Sequence, residues 1–365
     1  MKKKIFAIAF TMLMIIVCSV ALAKTDSGEY KGIKWNFDNG TLSLEGEGLI
    51  PSNAPWDGCY KQVRELIIGE KISGLEDWAE FDHMPKLQKI IYYTNDFEES
   101  FPMAELIKEV EYRGPDPEFR GINYIACRLN KITFFNAQNK YVQDGKFLFN
   151  KDRTELYYYL GVKKEKVAIP EGVRIIKDSA FANSNITAID FPSTLEEIGR
   201  DAFGNCNQLT KIEVPASCKV IGAEAFCGCS SLKEIKFNHD EIELRGYYYV
   251  RDERIQSGFT FAGCTSLKEI VLPSCEEIPD SIFAGCKNLK KVVFGEKTRK
   301  IVSGQSFMGC LRLESVYVPD DMDFDDKFFI GMGSEPPKKA VILCHAGSHA
   351  EELAKIYGMK YKVVE

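Results

Sequence analysis

The motif F-x-x-C recurs five times in the second half of the chain, and it limits the possible folds more than any other feature. The copies begin at Phe203, Phe226, Phe261, Phe283 and Phe307. Counted from an earlier Phe181, the spacings are 22, 23, 35, 22 and 24 residues (203 − 181, 226 − 203, 261 − 226, 283 − 261 and 307 − 283). Repeats of this period form solenoids, in which each repeat is one coil that packs on its neighbours. The longer spacing indicates an insertion of about 12 residues in one coil (35 − 23).

Apolar residues follow each copy at the same three offsets, +6, +9 and +11 from the Phe. After the first copy they are Leu209, Ile212 and Val214. Because Ile212 and Val214 alternate with charged residues, this segment is predicted to be a strand with one buried face. Pro215 follows directly and ends the strand, since proline has no backbone N–H. A second short apolar site, such as Ile221, lies five residues before the next Phe. The pattern is that of a leucine-rich repeat.

The Phe and the Cys of the motif are predicted to form two interior columns. The residues around the Phe are expected to make a short helical or 3₁₀ turn that places the ring inside the coil. Cysteine is small and mostly apolar, so it suits a tight interior corner. Zinc sites generally need local Cys and His pairs, which this spacing does not provide. We therefore predict buried thiols, no metal and no other cofactor.

The full repeat reads I-P-x-x-V-x-x-I-x-x-x-A-F-x-x-C-x-x-L-x-x-I-x-[VF]-P. One copy begins with Ile169, Pro170, Val173 and Ile176. In this pattern the chain resembles the BspA-like leucine-rich repeat proteins of bacterial and some protist surfaces. Residues 35–44 with Trp56 resemble the N-terminal entry segment of that family, and residues 142–152 resemble its hairpin insert. The resemblance implies an extracellular binding or adhesion scaffold, and it brings no catalytic residues.

The predicted fold is a right-handed α/β solenoid, mostly β with short helical turns, closed by a cap at each end. Asn39-Gly40 is a type I′ turn signal for an N-terminal β-hairpin cap. Ser348 and Glu351 form a capping box for a C-terminal helix–strand cap. The predicted segments are a signal peptide (1–23), the N-terminal cap (24–60), degenerate repeats (61–140), a β-hairpin insert (141–160), BspA-like repeats (161–340, with an insertion at 238–258) and the C-terminal cap (341–365).

The first 23 residues carry the features of a secretory signal peptide. Three lysines precede an apolar run over residues 5–17, and Ala21-Leu22-Ala23 is a small-residue cleavage site. The run is too short to span a membrane, so no membrane-spanning segment is expected after cleavage. The protein is predicted to be secreted or held at the cell surface. The precursor charge of −6 becomes about −9 when three lysines leave (−6 − 3), which argues against nucleic acid as a partner.

Two surfaces are candidate binding sites. The insertion holds Tyr and Arg residues, which protein-binding hot spots favour; alternatively, these tyrosines pack on the flank of the solenoid. The second surface is the outward face of the repeat strands, since repeat proteins bind through such continuous surfaces. The candidates in the insertion are Arg245, Tyr247, Tyr248, Tyr249 and Arg251, and those on the strands include Lys211, Glu213, Glu234, Lys291 and Tyr317.

Three functions follow, and the first is favoured. It is an exported, non-enzymatic protein that recognises an extracellular protein or glycan, or mediates adhesion. The second is a structural surface or periplasmic scaffold with no dedicated ligand. The third is a glycan-active enzyme that uses two carboxylates, although the catalytic motifs G-x-S-x-G and G-x-G-x-x-G are absent from the sequence. The oligomeric state and the identity of the partner stay open.

Overall fold

The computed structural model describes residues 26–51, 55–75, 84–93, 107–114, 131–134, 140–248, 256–302, 305–329 and 339–365. The predicted signal peptide lies outside these residues. The chain divides into two compact units, Met1–Arg120 with Thr133–Asn136, and Gly121–Ile132 with Ala137–Glu365. No helix in the described ranges is long and apolar enough to span a membrane.

The first unit is built around a seven-stranded sheet. Its strands, with a separate parallel pair β4 and β6, are β1 (Asp26–Tyr30), β2 (Ile33–Asp38), β3 (Thr41–Glu45), β4 (Glu47–Ile50), β5 (Glu65–Ile68), β6 (Lys71–Leu75), β7 (Lys89–Tyr92), β8 (Glu109–Tyr112) and β9 (Lys131–Phe134). The order in the large sheet is β1-β2-β3-β5-β7-β8-β9. Two 3₁₀ helices, Pro55–Gly58 and Tyr60–Gln62, connect β4 to β5.

The sheet begins with antiparallel strands and continues with parallel ones. The predicted hairpin is confirmed: β2 pairs with β3, and the turn has positive φ at both Asn39 (47°) and Gly40 (91°), as a type I′ turn requires. β1 pairs antiparallel with β2. We did not predict β1, because its side chains are mainly exposed and carry no apolar alternation.

Parallel strands β5, β7 and β8 follow in register. The two degenerate repeats predicted here place Leu87, Ile90, Ile107 and Val110 in the core, and all four are buried. The Phe positions assigned to these repeats, 81 and 101, lie outside the described residues. The prediction that residues at offsets +6 and +9 are buried is thus correct even where the rest of the motif has diverged.

The second unit contains the F-x-x-C repeats. Its strands are β10 (Tyr141–Asp144), β11 (Phe147–Asn150), β12 (Glu155–Tyr159), β13 (Lys166–Ala168), β14 (Ile175–Ile176), β15 (Ala188–Asp190), β16 (Glu197–Ile198), β17 (Lys211–Val214), β18 (Val220–Ile221), β19 (Glu234–Phe237), β20 (Glu243–Leu244), β21 (Tyr247–Tyr248), β22 (Gln256–Ser257), β23 (Glu269–Val271), β24 (Glu277–Ile278), β25 (Lys291–Val293), β26 (Lys300–Ile301), β27 (Ser315–Tyr317), β28 (Val341–His345) and β29 (Tyr361–Val364). Each full repeat contributes one strand to each of two parallel ladders.

The first ladder contains the predicted strands that follow the motif, β17, β19, β23, β25 and β27. The pair β13 and β15 precedes them, β28 and β29 extend the ladder, and its pairing is interrupted between β15 and β17 and between β19 and β23. The second ladder runs through β12, β14, β16, β18 and β20, and resumes with β24 and β26. We predicted only a short apolar site where this second ladder forms, because two-residue strands have too little alternation to be recognised.

The predicted hairpin insert has three strands instead of two. β10 pairs with β11, and β11 pairs with β12 across the predicted turn at Asn150–Arg153. The pairing register shifts between Leu148 and Phe149, and both side chains are buried. This bulge breaks the simple alternation that we expected along the strand.

The Phe rings form one stacked interior column, as predicted. Adjacent rings from Phe181 to Phe307 lie 4.9–6.0 Å apart between centroids, with interplanar angles of 24° or less. Tyr159 stacks on Phe181 at one end of the column, and Phe328 meets Phe307 edge-on at the other. All five motif phenylalanines are at most 2% exposed.

The segment that carries each Phe is a hydrogen-bonded turn, and not the helical or 3₁₀ turn that we expected. Asp201, two residues before Phe203, has φ +52°, and Glu224 and Ser281 have similar positive values. A residue in this left-handed region ends any helical geometry. The turns also bond from coil to coil, for example from the Phe203 N–H to the Ala225 carbonyl (2.8 Å).

The C-terminal segment contains helix α1 (His349–Ile356) between β28 and β29. The Ser348 hydroxyl accepts a hydrogen bond from the Glu351 N–H (3.1 Å), as the predicted capping box requires. The Glu351 carboxylate accepts from the Gly347 N–H (2.8 Å), one residue earlier than in the standard box. Ala350, Leu353 and Ala354 are buried, so one face of the helix covers apolar side chains of the core.

Candidate functional site

The outward face of the first ladder is charged at its N-terminal end. In β17 and β19, Lys211 pairs with Glu234 (2.9 Å) and Glu213 pairs with Lys236 (2.8 Å). These side chains are about half exposed, so each pair contributes little net free energy. Three of the predicted site residues, Lys211, Glu213 and Glu234, are therefore engaged with charges on the adjacent coil.

The same face becomes apolar toward its C-terminal end. The strand register places Val271, Val293, Tyr317 and Leu343 side by side on four adjacent strands. Val271 is 62% exposed, and the other three are half-buried. We call these four residues the apolar row. Contiguous apolar surface of this kind marks interaction sites in soluble proteins.

Tyr317 contributes the polar group of the apolar row. Its hydroxyl donates to the Glu296 carboxylate (3.1 Å), and its ring meets His345 edge-on. Burial, and then the Glu296 charge, raise the pKa of Tyr317 to about 12, so the phenol stays protonated at neutral pH. Lys291, another predicted site residue, is exposed next to the row and lies opposite Glu269 in the strand register.

The insertion is shorter than the predicted range 238–258. Ile242 and Leu244 belong to the buried core. β20 pairs with β18 in the same way as the corresponding strand of a repeat without an insertion, and Leu244 lies opposite Ile221. Leu244 lies 17 residues before Phe261, whereas Ile221 lies five before Phe226 (261 − 244 and 226 − 221). The 12 extra residues are therefore 246–257. Residues 238–245, which we had assigned to the insertion, belong to the regular repeat.

The described residues do not show the predicted binding residues of the insertion grouped into one site. The Arg245 guanidinium bonds to Glu243 (2.8 Å) and Glu197 (3.0 Å), so it is held on the second ladder. Tyr247 and Tyr248 form β21, which pairs with β22. Tyr249 and Arg251 lie outside the described residues.

A groove of about 1050 Å³ lies on the outward face beside the apolar row. The first ladder is interrupted between β15 and β17 and again between β19 and β23, and the groove lies at the second interruption, beside the insertion. Its lining includes Val271 and Val293 of the apolar row, and also Ile235, Ile270 and Phe294, whose side chains are buried in the core. The groove and the row thus form one continuous surface.

His239 lines the end of this groove that lies beyond β19. Both ring nitrogens are inaccessible to solvent, and neither has a hydrogen-bond partner among the described groups. Burial and the neighbouring Lys219 lower the pKa of His239, which favours the neutral ring. A neutral imidazole has one donor and one acceptor, and both are available here.

Our sequence analysis named Tyr317 as a candidate binding residue but missed the other three members of the apolar row, although a signal was present. Its first three members lie at Phe+10, where the two preceding repeats have Glu213 and Lys236. We treated this offset as solvated throughout, because charged residues occupied it in the best-formed repeats. The groove had no local signal, since it depends on how two coils separate.

The family match can now be placed on this geometry. The BspA-type leucine-rich repeat model matches residues 153–257 and 257–332 in six copies. This region of the chain belongs to the BspA-type leucine-rich repeat family. The BspA-type repeats include the groove and three members of the apolar row, whereas Leu343 lies beyond the matched residues. No curated protein matches the sequence.

The fold of the chain is similar to those of solved leucine-rich repeat structures. A leucine-rich repeat protein from Eubacterium ventriosum is 20% identical, with alignment over 82% of this chain and 92% of that chain and a TM-score of 0.54. The pneumococcal vaccine antigen PcpA is 14% identical, with 93% and 99% covered and a TM-score of 0.46. At 20% identity, the first similarity supports the leucine-rich repeat fold and nothing further.

Proposed function

We propose that this chain is an exported, non-enzymatic recognition protein that binds an extracellular protein at the cell surface. The observation that carries this proposal is the apolar row, Val271, Val293, Tyr317 and Leu343, on a face whose other outward side chains are mainly charged. The row packs only along the outer surface of the stack and leaves apolar area, above all on Val271, exposed to water. Burial of this area by a partner favours association, and the entropy lost on binding offsets part of that gain.

The chemistry of the row favours a protein partner over a glycan. Three of its four side chains are aliphatic and offer no hydrogen bond. The hydroxyl of the fourth, Tyr317, already donates to Glu296. A sugar presents many hydroxyl groups, which lose hydrogen bonds to water when they are buried against such a surface. Protein interfaces, by comparison, have apolar centres surrounded by polar residues.

Export is supported by the predicted signal peptide and by the family resemblance. Val17 and the preceding apolar residues form its hydrophobic segment, and Lys24 would begin the mature protein. Surface localisation would place the apolar row in contact with host, matrix or neighbouring-cell proteins.

The mature protein, residues 24–365, can be crosslinked on intact cells and tested on arrays of extracellular matrix proteins and of glycans. We expect binding to a protein that is strongly weakened in the double variant Val271→Lys and Val293→Lys. The control is Lys166→Glu with Asp190→Lys, which exchanges an exposed ion pair of the first ladder outside the groove. Equal binding by the row variant would remove the row from the interface. Binding only to glycans would favour the glycan alternative, and no binding at all would favour the scaffold alternative.

A further inference from the structure

The groove next to the apolar row has a more specific shape and charge than the row itself. We propose that it holds an extended segment of the protein partner, with an acidic residue at one end, an aliphatic side chain in the middle and a basic or hydrogen-bonding group at the other end. This inference rests on the proposed function, because it names the part of the partner that the surface would recognise.

The middle of the groove is suited to an aliphatic side chain. Its exposed apolar surface comes from Val271 and the half-buried Val293, whereas Ile235, Ile270 and Leu272 of the lining are buried in the core. Its volume of about 1050 Å³ is at the upper end of the range of ligand pockets. The groove follows β19 and β23, so a partner segment of about five residues in extended conformation, at about 3.3 Å per residue, would lie along it.

The charges that remain unpaired are separated between the two ends of the groove. Lys233 and Lys268 precede the two strands, are exposed, and form no ion pair with another described residue. Their charges would attract a carboxylate of the partner. Most of the other charged residues in the lining already have a partner in the protein: Glu234 pairs with Lys211, Lys236 with Glu213, and Lys297 with Glu241.

The opposite end of the groove is acidic. Asp240 follows β19 and forms no ion pair with a described residue, and Glu296 accepts only the Tyr317 hydroxyl. Glu269, the remaining acid of the lining, begins β23 next to Lys268 and offsets one of the two lysine charges at the basic end. The groove therefore has a net positive end and a net negative end, although its total charge is balanced. Charge complementarity of this kind selects both a partner and its direction of binding.

His239 adds hydrogen-bonding capacity at the acidic end. Neither ring nitrogen has a side-chain partner among the described residues. A backbone or side-chain group of the partner segment would bond to the ring when the segment is in place.

A phage library of random linear heptapeptides, panned on the immobilised mature protein, tests the proposal without a known partner. We expect enriched peptides with Asp or Glu near one end and Leu, Ile or Val in the middle. Synthetic copies should bind, by fluorescence anisotropy, at least about tenfold more weakly to Lys233→Glu with Lys268→Glu. The control variant Lys151→Glu with Lys287→Glu changes the same total charge at exposed positions outside the groove.

A charge-swapped peptide, in which the acidic residue is replaced by Lys, should bind the Lys233→Glu and Lys268→Glu variant better than the wild type. Enrichment of basic peptides, equal weakening by the control variant, or no enrichment over an uncoated surface would each overturn the proposal. If the cell-surface partner is lost with Val271→Lys and Val293→Lys but retained with the groove variant, the groove inference fails while the proposed function stands.

Discussion

The thiol of Cys286 donates a hydrogen bond to the backbone carbonyl of Phe261, 3.1 Å away in the preceding coil. The same carbonyl accepts the backbone N–H of Cys264 in its own coil (3.2 Å). The relationship repeats along the stack: Cys206 donates to Phe181 (3.2 Å), Cys229 to Phe203 (3.1 Å), Cys264 to Phe226 (3.3 Å) and Cys310 to Phe283 (3.2 Å). Each thiol thus packs in the interior and bonds one coil to the next.

The motif thiols should be unreactive in the native protein. Burial raises the pKa of Cys310 to about 12, and it also raises the pKa of Cys286. Since the thiolate is the reactive form, we expect no modification of the motif cysteines by Ellman's reagent at pH 8. The same cysteines should react fully in guanidinium chloride. Rapid stoichiometric reaction of the native protein, mapped to them by mass spectrometry, would contradict the buried ladder.

Phe283→Ala should destabilise the second unit by about 3–5 kcal/mol, because it removes a buried ring and leaves a cavity in the middle of the column. The ring lies 6.0 Å from Phe261 and 5.8 Å from Phe307 between centroids. Denaturant unfolding measures the change, and Leu311→Ala, at a residue that is 74% exposed, should have almost no effect. Equal effects of the two substitutions would be incompatible with the stacked column.

Asp201→Asn should stabilise the protein at neutral pH. Burial, and then the Glu224 charge, raise the pKa of Asp201 to about 6, whereas the usual value is about 3.9. The folded pKa is the higher one, so stability falls as pH rises from about 4 to about 6 and stays lower above that range. The amide has no charge to bury and removes this loss, which is about 3 kcal/mol at pH 7. Asn also tolerates the φ of +52° at this position.

Thermal melting of both proteins at pH 4, 5, 6 and 7 checks this expectation. The difference in melting temperature should be largest at pH 7 and should shrink as the pH falls toward 4. A difference that does not depend on pH would show that the Asp201 carboxylate is not responsible.

Deletion of residues 246–257 should leave the melting temperature of the second unit close to that of the wild type. The remaining chain has Leu244 five residues before its next Phe, the spacing of a regular coil (17 − 12). The longer deletion, 238–258, removes Ile242 and Leu244 from the core and should cost several kcal/mol. Calorimetry compares the two deletions. Similar destabilisation by both would show that the inserted residues themselves support the solenoid.

Local patterns predicted most of the interior of this protein. The offsets +6, +9 and +11 identified buried residues such as Leu209, Ile212 and Val214, and Asn39-Gly40 identified the hairpin turn. The turns around Phe203 were assigned wrongly as helical, because the left-handed φ of Asp201 is imposed by bonds to the next coil. Side chains that are buried within their own coil can be recognised from sequence, because the coil repeats.

The sequence by itself determined the coil period, the two interior columns and the capping box at Ser348, since each depends on residues close together in the chain. Only the tertiary structure decided which outward residues become neighbours. Val271 and Leu343 are separated by 72 residues (343 − 271), and strand register alone unites them in one row. The groove arises in the same way, because residues of three successive coils line it at an interruption of the ladder. Register and separation between coils are properties of the stack, and no single repeat encodes them.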